Sequence, residues 1–546
     1  MYLGLDLSTQ QIKGLVVSDK LEALAHVTVE FDKDFPQYKT VKGVYSNSET
    51  NEVQAPVAMW LEAVDLLFER LKAKIDLSSL KGVSGACQQH GSVFWKKGAL
   101  QALQSLDSTK PLKQLETSLS WDLSPNWQDH STAKECDEFE SAVGGMDELA
   151  KISGSKAHHR FTGPQILKLK HKRPDLYEQT EHISLVSSFL ASVLAGDMMP
   201  LDIGDVCGMN LWDIQKRQWN EKLLSLLGDE KEVIEKLGPV SQSPKDKNGQ
   251  KSVSSYFSKK YGVSPDCKVV PFTGDNPGTI MSLPLEANDV IVSLGTSTTA
   301  LVVTEKYVPS PQYHLFSHPA GRGYMGMLCY CNGALAREQV RDEINKRHGT
   351  PEDLWGNFDK LVAECKSKSN AVLDKVGFYF PLSEIIPDCP QVIQRYQWSN
   401  GQAEPVKSWA NEDEDALRII ESQALSIRAR LGPMLTSATR LPRKLYFVGG
   451  GSKNKAICEA FAKVLFPSEG AFTLDLTDAC AKGAANLAAF GASGTDQEWE
   501  KYVLQFWDEK ERCSSVHCSG ADEYGQAAVD LFFSSEKLLL QSVNKV

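Results

Sequence analysis

The sequence predicts an α/β protein of two large domains with a cleft between them. The chain has 546 residues, more than one hydrophobic core spans. An apolar strand, a short turn of small polar residues and a second apolar strand occur twice, at residues 2–17 and 290–303. Strands and amphipathic helices also alternate along the chain, the order expected of a mixed α/β core.

Residues 2–17 and 24–31 read as strands, the first pair joined by Asp6-Leu-Ser-Thr-Gln10. Pro56 opens a helix whose Val57, Trp60, Leu61, Val64, Leu67, Phe68 and Leu71 fall at helical spacing. A short strand, Gly82-Val-Ser-Gly-Ala86, feeds the polar end Gln88-Gln-His90. Residues 244–252 are polar and turn-rich, as in an exposed loop. The crossover between domains is expected near residues 262–290, dividing the chain into 1–270 and 271–546. In the second part, residues 400–415 are polar, and their acidic end is expected to be a solvated helix N-terminus. The following helix carries Leu417, Ile420, Ala424, Ile427 and Leu431.

The most informative stretch is Pro271-Phe-Thr-Gly-Asp-Asn-Pro-Gly-Thr279. Asp275 follows an apolar run and is flanked by residues that break regular structure. Its carboxylate should therefore project from a strand end into a cleft, where a general base belongs. An isolated Gly-Asp-Asn-Pro is more often an ordinary turn; the neighbourhood favours the functional reading. The turn Ser293-Leu-Gly-Thr-Ser297 aligns with Asp6-Leu-Ser-Thr-Gln10, Leu294 meeting Leu7 and Thr296 meeting Thr9. Such turns offer N–H and O–H donors to phosphate oxygens, and two of them suggest a duplicated fold holding one polyphosphate. A third element follows the strand Lys444–Val448: Gly449-Gly-Gly-Ser-Lys-Asn454, then a helix with Ile457, Phe461, Val464 and Leu465 on one side. A glycine turn at a helix N-terminus lets a nucleotide approach closely. It is neither a dinucleotide fingerprint nor a Walker loop.

These four segments, in this order, resemble the FGGY carbohydrate kinases of the actin/hexokinase (ribonuclease H-like) superfamily. Gln88-Gln-His-Gly-Ser92, Arg160-Phe-Thr-Gly163, Ser184-Leu-Val-Ser-Ser-Phe189 and Gly208-Met-Asn210 narrow the resemblance to eukaryotic members acting on D-xylulose. It covers residues 2 to about 495. It implies ATP-dependent phosphorylation of D-xylulose, with Mg²⁺, and Asp275 as the base. For the sugar it implies His90, Arg160, Asp275 and Asn276; Gln89 and Asp129, the latter in Trp127-Gln-Asp129, are further candidates. For the nucleotide it implies Gly450, Gly451, Asn454 and Trp355. Asp6 is the candidate for magnesium through water, with Thr9, Ser293 and Thr296 donating to phosphates. The chain departs from many relatives at Ser8, Lys13 and Ala462-Lys-Val464.

A net charge of −11 argues against a nucleic-acid surface, which needs clustered Lys and Arg. No run is long enough to span a membrane and no signal-peptide layout is read, so a cytoplasmic protein, a monomer or homodimer, is expected. Cys329 and Cys331 would share one side of a strand; the twelve cysteines read as reduced thiols rather than zinc ligands. The rivals are a sibling kinase for ribulose, glycerol, gluconate or a heptulose, and a non-catalytic ATP or sugar sensor on the same scaffold. An ATPase chaperone is a third reading, for which the C-terminal 50 residues are too short.

Overall fold

In the computed structural model the first strand, Tyr2–Leu7, turns at Ser8–Gln10 into Gln11–Val17, and Ala23–Glu30 pairs beyond it. The structure describes residues 1–368, 373–518 and 520–543. Gly82–Cys87 lies parallel to the first strand, and Lys268–Val269 and Thr273–Gly274 continue the sheet on its far side. The second half repeats this layout. Val290–Leu294 and Thr298–Thr304 form the second hairpin, Tyr324–Tyr330 and His314–Ser317 extend it on one side, and Leu445–Val448 runs parallel on the other. Both hairpins carry their turns at the same end of a parallel strand neighbour, the geometry a duplication predicts.

The residues that define these elements are the ones that bury. In the helix Val57–Lys72, every apolar residue read at helical spacing is buried, and the same holds for Leu417, Ile420, Ala424, Ile427 and Leu431 in Asp415–Leu431. The helix Ala479–Ala492 returns from the second half to pack on the first sheet. There Gly4 is indispensable: a Cβ at that position would lie 2.0 Å from Ala481 O. The alanine face of this helix (Ala481, Ala484, Ala485, Ala488) allows that approach. Gly483 meets the short helix Asp275–Ile280 in the same way, its Cβ 1.8 Å from Gly278 O.

Three expectations change. Thr273–Gly274 pairs with Ala86–Cys87, so Asp275 is carried by the first sheet, not by a second domain beginning at residue 271. Asp275–Ile280 is helical despite Pro277, because a first-turn proline loses no hydrogen bond. The acidic end at Glu412–Asp415 is paired, not merely solvated: Asp413 with Arg347, Glu414 with Lys375 and Asp415 with Arg395.

The described residues after 495 belong to the fold. Ser514–Val516 adds an antiparallel strand to the second sheet's edge. Helix Gln526–Val543 packs on Asp415–Leu431, tied by Arg430–Glu536, whose side chains are 2% and 5% exposed. Among the described residues no helix is long and apolar enough to cross a membrane.

Candidate active site

Asp275 sits where the strand Thr273–Gly274 ends and a short helix begins. Its Oδ1 accepts from the Asn276 backbone N–H at 2.7 Å and from Asn276 Nδ2 at 3.0 Å. The side chain is enclosed by protein yet reached from the cleft. Desolvation pushes its pKa up to about 7, partly opposed by the Asn276 bonds, and the Asp6 charge adds to the rise. A carboxyl poised there can take a proton at neutral pH.

The supporting strand is itself pinned. Thr273 Oγ1 donates to Asp202 at 2.6 Å. Asn276 Nδ2 also donates to Gln89 Oε1 at 3.1 Å, and Gln89 Nε2 reaches Asp205 at 3.5 Å. Asp205 is buried and accepts from Ser187 Oγ; burial raises its pKa to about 7. Neither Asp202 nor Asp205 was singled out in the sequence, since Thr273 lies 71 residues from the first and Gln89 116 residues from the second.

His90 ends the polar turn after Gly82–Cys87, with φ of 73° in the left-handed region, a strained position that marks functional sites. Its Nδ1 lies 3.1 Å from the Gly208 carbonyl, so Nδ1 donates and Nε2 is left as an acceptor. Phe161 stacks on the ring at 4.4 Å. Burial, then the Arg160 charge, hold His90 well below the usual histidine pKa, hence neutral. Arg160 follows directly: its guanidinium lies over Phe161, and Nη2 is 3.0 Å from His314 Nε2. Asp275, Cys329 and Cys331 act on Arg160 electrostatically. The two cysteines therefore lie near Arg160; among the described residues no cluster of three or more His, Cys, Asp or Glu could hold a metal.

Asp129 does not join this group. It is fully buried, accepting from Val53 N–H at 3.0 Å, Ser131 N–H at 2.9 Å and Gln165 Nε2 at 2.8 Å. The Ser131 bond is a local Asx turn, so the carboxylate holds a loop. Its neighbour Trp127 is instead 44% exposed and donates to Thr9 Oγ1 at 2.8 Å.

On the first strand of the same sheet, Asp6 is 5% exposed and accepts from Ser8 Oγ at 2.6 Å. Burial raises its pKa to about 6, against the lowering effects of Ser8 and Lys13. Lys13 pairs with Asp6 in register, and its Nζ contacts Asp478 at 3.0 Å and Thr477 O at 3.4 Å. The first hairpin is thus linked to the helix that returns from the second half.

The second hairpin and the glycine turn touch. A Cβ on Gly449 would lie 3.4 Å from Ser293 Oγ, and one on Gly451 would lie 2.8 Å from Leu294 O. Gly450 faces open space, with nothing within 4 Å of its Cβ position. Thr296 is exposed at the hairpin tip, where its carbonyl accepts from Gly333 N–H. Asn454 caps the helix Lys455–Leu465 through Ile457 N–H at 3.0 Å and donates to Asp359 at 2.8 Å. Asp359 is one helical turn beyond Trp355, its N–H bonding the Trp355 carbonyl. Trp355 is half-buried, edge-on to Phe358 and covered by Arg341 at 4.7 Å. A cleft of about 660 Å³ opens beside this turn, lined by Gly449, Gly450, Ser452, Lys453 and Thr477. Arg337, which the sequence reading missed, is fully buried beneath it, its Nη2 3.4 Å from the Gly451 Cβ position.

Two lobes on one repeated sheet, with a cleft acid and two hydroxyl-tipped hairpins, define a sugar-kinase type of phosphotransferase. The pattern of the FGGY family of carbohydrate kinases matches over residues 1–281 for its N-terminal domain and 290–492 for its C-terminal domain. The chain belongs to that family. It is 46% identical to the xylulose kinase of Schizosaccharomyces pombe, covering 96% of each chain. It is 45% identical to D-xylulose kinase A of Aspergillus niger, over 100% of this chain and 99% of the relative. The fold is shared with a xylulose kinase of Rhodospirillum rubrum (TM-score 0.76, 14% identity, 100% and 99% covered). It is shared as well with a Plasmodium falciparum glycerol kinase solved with ADP (TM-score 0.71, 14% identity, 99% and 97% covered).

Proposed function

We propose that this protein transfers the γ-phosphoryl group of MgATP to the primary hydroxyl of D-xylulose, giving D-xylulose 5-phosphate. The observation that carries the reading is Asp275, a carboxyl held near neutral pKa at the cleft end of a first-sheet strand. The sugar lies among His90, Arg160, Asn276 and Gln89. His90 Nε2 accepts from one hydroxyl, Arg160 donates to another, and Asp275 faces the attacking hydroxyl. As that oxygen attacks the γ-phosphorus in line, Asp275 takes its proton. The phosphates lie between the hairpins, with Thr9, Ser293 and Thr296 as hydroxyl donors. The nucleoside rests on Gly450 and Gly451 toward Asn454 and Trp355.

Asp6 fits a cation. It is a buried carboxylate whose charge burial disfavours, so a cation would compensate it, and Mg²⁺ needs few carboxylates because it keeps most of its waters. Bound there with ATP, Mg²⁺ would neutralise phosphate charge as transfer proceeds. Positioning and charge stabilisation account for most of such catalysis, so both lobes must meet the substrates together.

The fold alone does not select the sugar, because a glycerol kinase shares it. Sequence similarity to the xylulose kinases favours D-xylulose. ADP formation with D-xylulose, D-ribulose, L-ribulose, D-fructose and glycerol in parallel tests this, with D-xylulose expected to give the highest kcat/KM. Preference for another acceptor would move the protein to a sibling activity. ATP binding with no acceptor-dependent turnover would favour the sensor.

Gly450 gives an independent check of the nucleotide site. No protein atom lies near its Cβ position, so Gly450→Val should leave the melting temperature unchanged. The side chain would enter the space assigned to ATP and raise the ATP KM by about tenfold or more, with sugar KM little changed. An unaltered ATP KM would remove Gly450 from the site.

A further inference from the structure

We propose that His314 positions Arg160 for the sugar, so that the second lobe governs the grip of a ligand carried by the first. This rests on the reading of Arg160 as a sugar ligand.

His314 begins the edge strand His314–Ser317 of the second sheet and is 4% exposed. Arg160 stands just ahead of the first-lobe helix Thr162–Lys172. The sheet edge meets the first lobe closely: Leu315 N–H donates to Gly154 O at 2.9 Å, and a Cβ on Gly154 would lie 1.9 Å from Leu315 O. That contact brings His314 Nε2 to 3.0 Å from Arg160 Nη2. A guanidinium only donates, so Nε2 must present its lone pair. The ring proton then sits on Nδ1, which faces Ser155 Oγ at 2.9 Å. Two neighbours from the first lobe thus select one neutral tautomer.

The ring's surroundings favour that state. His158 lies 4.6 Å away, centroid to centroid, and the charges of Arg160 and Lys156 act on the ring. Burial and these charges hold His314 well below the usual histidine pKa. Among the described residues no carboxylate forms an ion pair with Arg160; Asp275 attracts it only from longer range. Without an acceptor at Nε2, the guanidinium loses the side-chain hydrogen bond that fixes its orientation toward the sugar. With it, one N–H is fixed and the others stay directed at the cleft.

The test compares two polar replacements in the full chain. Glutamine places a carbonyl oxygen near the Nε2 position, within reach of Arg160. Asparagine places its polar atoms near Nδ1, retaining Ser155 and losing Arg160. His314→Asn should raise the D-xylulose KM by about tenfold or more and leave the ATP KM within about twofold. His314→Gln should restore most of the sugar KM. In an Arg160→Met background, His314→Asn should have no further effect on sugar KM. Asn and Gln variants equally impaired, or both unimpaired while Arg160→Met is impaired, would overturn the positioning role and leave Arg160 as a sugar ligand. An unchanged sugar KM in Arg160→Met would overturn the sugar reading of Arg160, and this inference with it. Melting temperatures close to wild type in both His314 variants separate these outcomes from misfolding.

Discussion

Asp275→Asn is expected to lower kcat by about 10²–10⁴-fold, the usual contribution of a general base, while MgATP still binds. The same substitution should make the protein more stable. The carboxyl pKa rises from 3.8 to about 7 on folding, so between those values the folded state holds the proton more tightly than the unfolded one. Stability contributed at this position therefore falls as pH rises through that window and stays low above it. Asparagine keeps the shape and removes the charge. Its gain in melting temperature should be larger at about pH 8 than at about pH 5. Wild-type kcat/KM for the sugar should fall as pH drops below about 7, because the base must be ionised to work. An Asp275→Asn variant with wild-type turnover would end the general-base reading; one that is inactive and less stable at pH 8 would contradict the desolvation account.

The largest structural effect is expected from Glu536. Its carboxylate meets Arg430 Nη2 at 2.8 and 2.9 Å, with both side chains almost wholly buried. Glu536→Leu would leave the Arg430 charge with Ser426 and Gln312 as its hydrogen-bonding partners. An uncompensated buried cation costs about 3–5 kcal/mol. An exposed pair such as Lys151–Glu148, at 62% and 50% exposure, should cost about 1 kcal/mol or less when broken. Calorimetry of the two variants decides between them. Arg430→Met with Glu536→Leu should recover much of the loss, because the pair itself need not be stabilising against apolar replacements. A negligible effect of Glu536→Leu would mean the C-terminal helix is dispensable to the second lobe.

What could be read from sequence was local. The hairpins, the strand before Asp275 and the glycine turn each lie within a few residues, and their turn chemistry and periodicity are continuous along the chain. The helix at Val57–Lys72 was legible for the same reason, every spaced apolar residue being buried. Asp129 shows the limit of such reading. A tryptophan and an acid two residues apart suited a sugar site, yet the backbone beside Asp129 claims its oxygens. His314, Asp205 and Glu536 were illegible because Arg160, Gln89 and Arg430, which they meet, stand 154, 116 and 106 residues away. No spacing rule brings an edge strand of the second sheet against a turn of the first. The division at residue 270 failed likewise: only pairing with Ala86–Cys87 reveals that the strand before Asp275 completes the first sheet.

The most direct test of the central claim is the stoichiometry of transfer, measured as D-xylulose 5-phosphate formed per ADP released. One product per ADP, negligible ADP without sugar, and loss of both product and ADP in Asp275→Asn are expected. ADP released without a phosphorylated sugar, or phosphate carried at another position of the ketose, would contradict that claim.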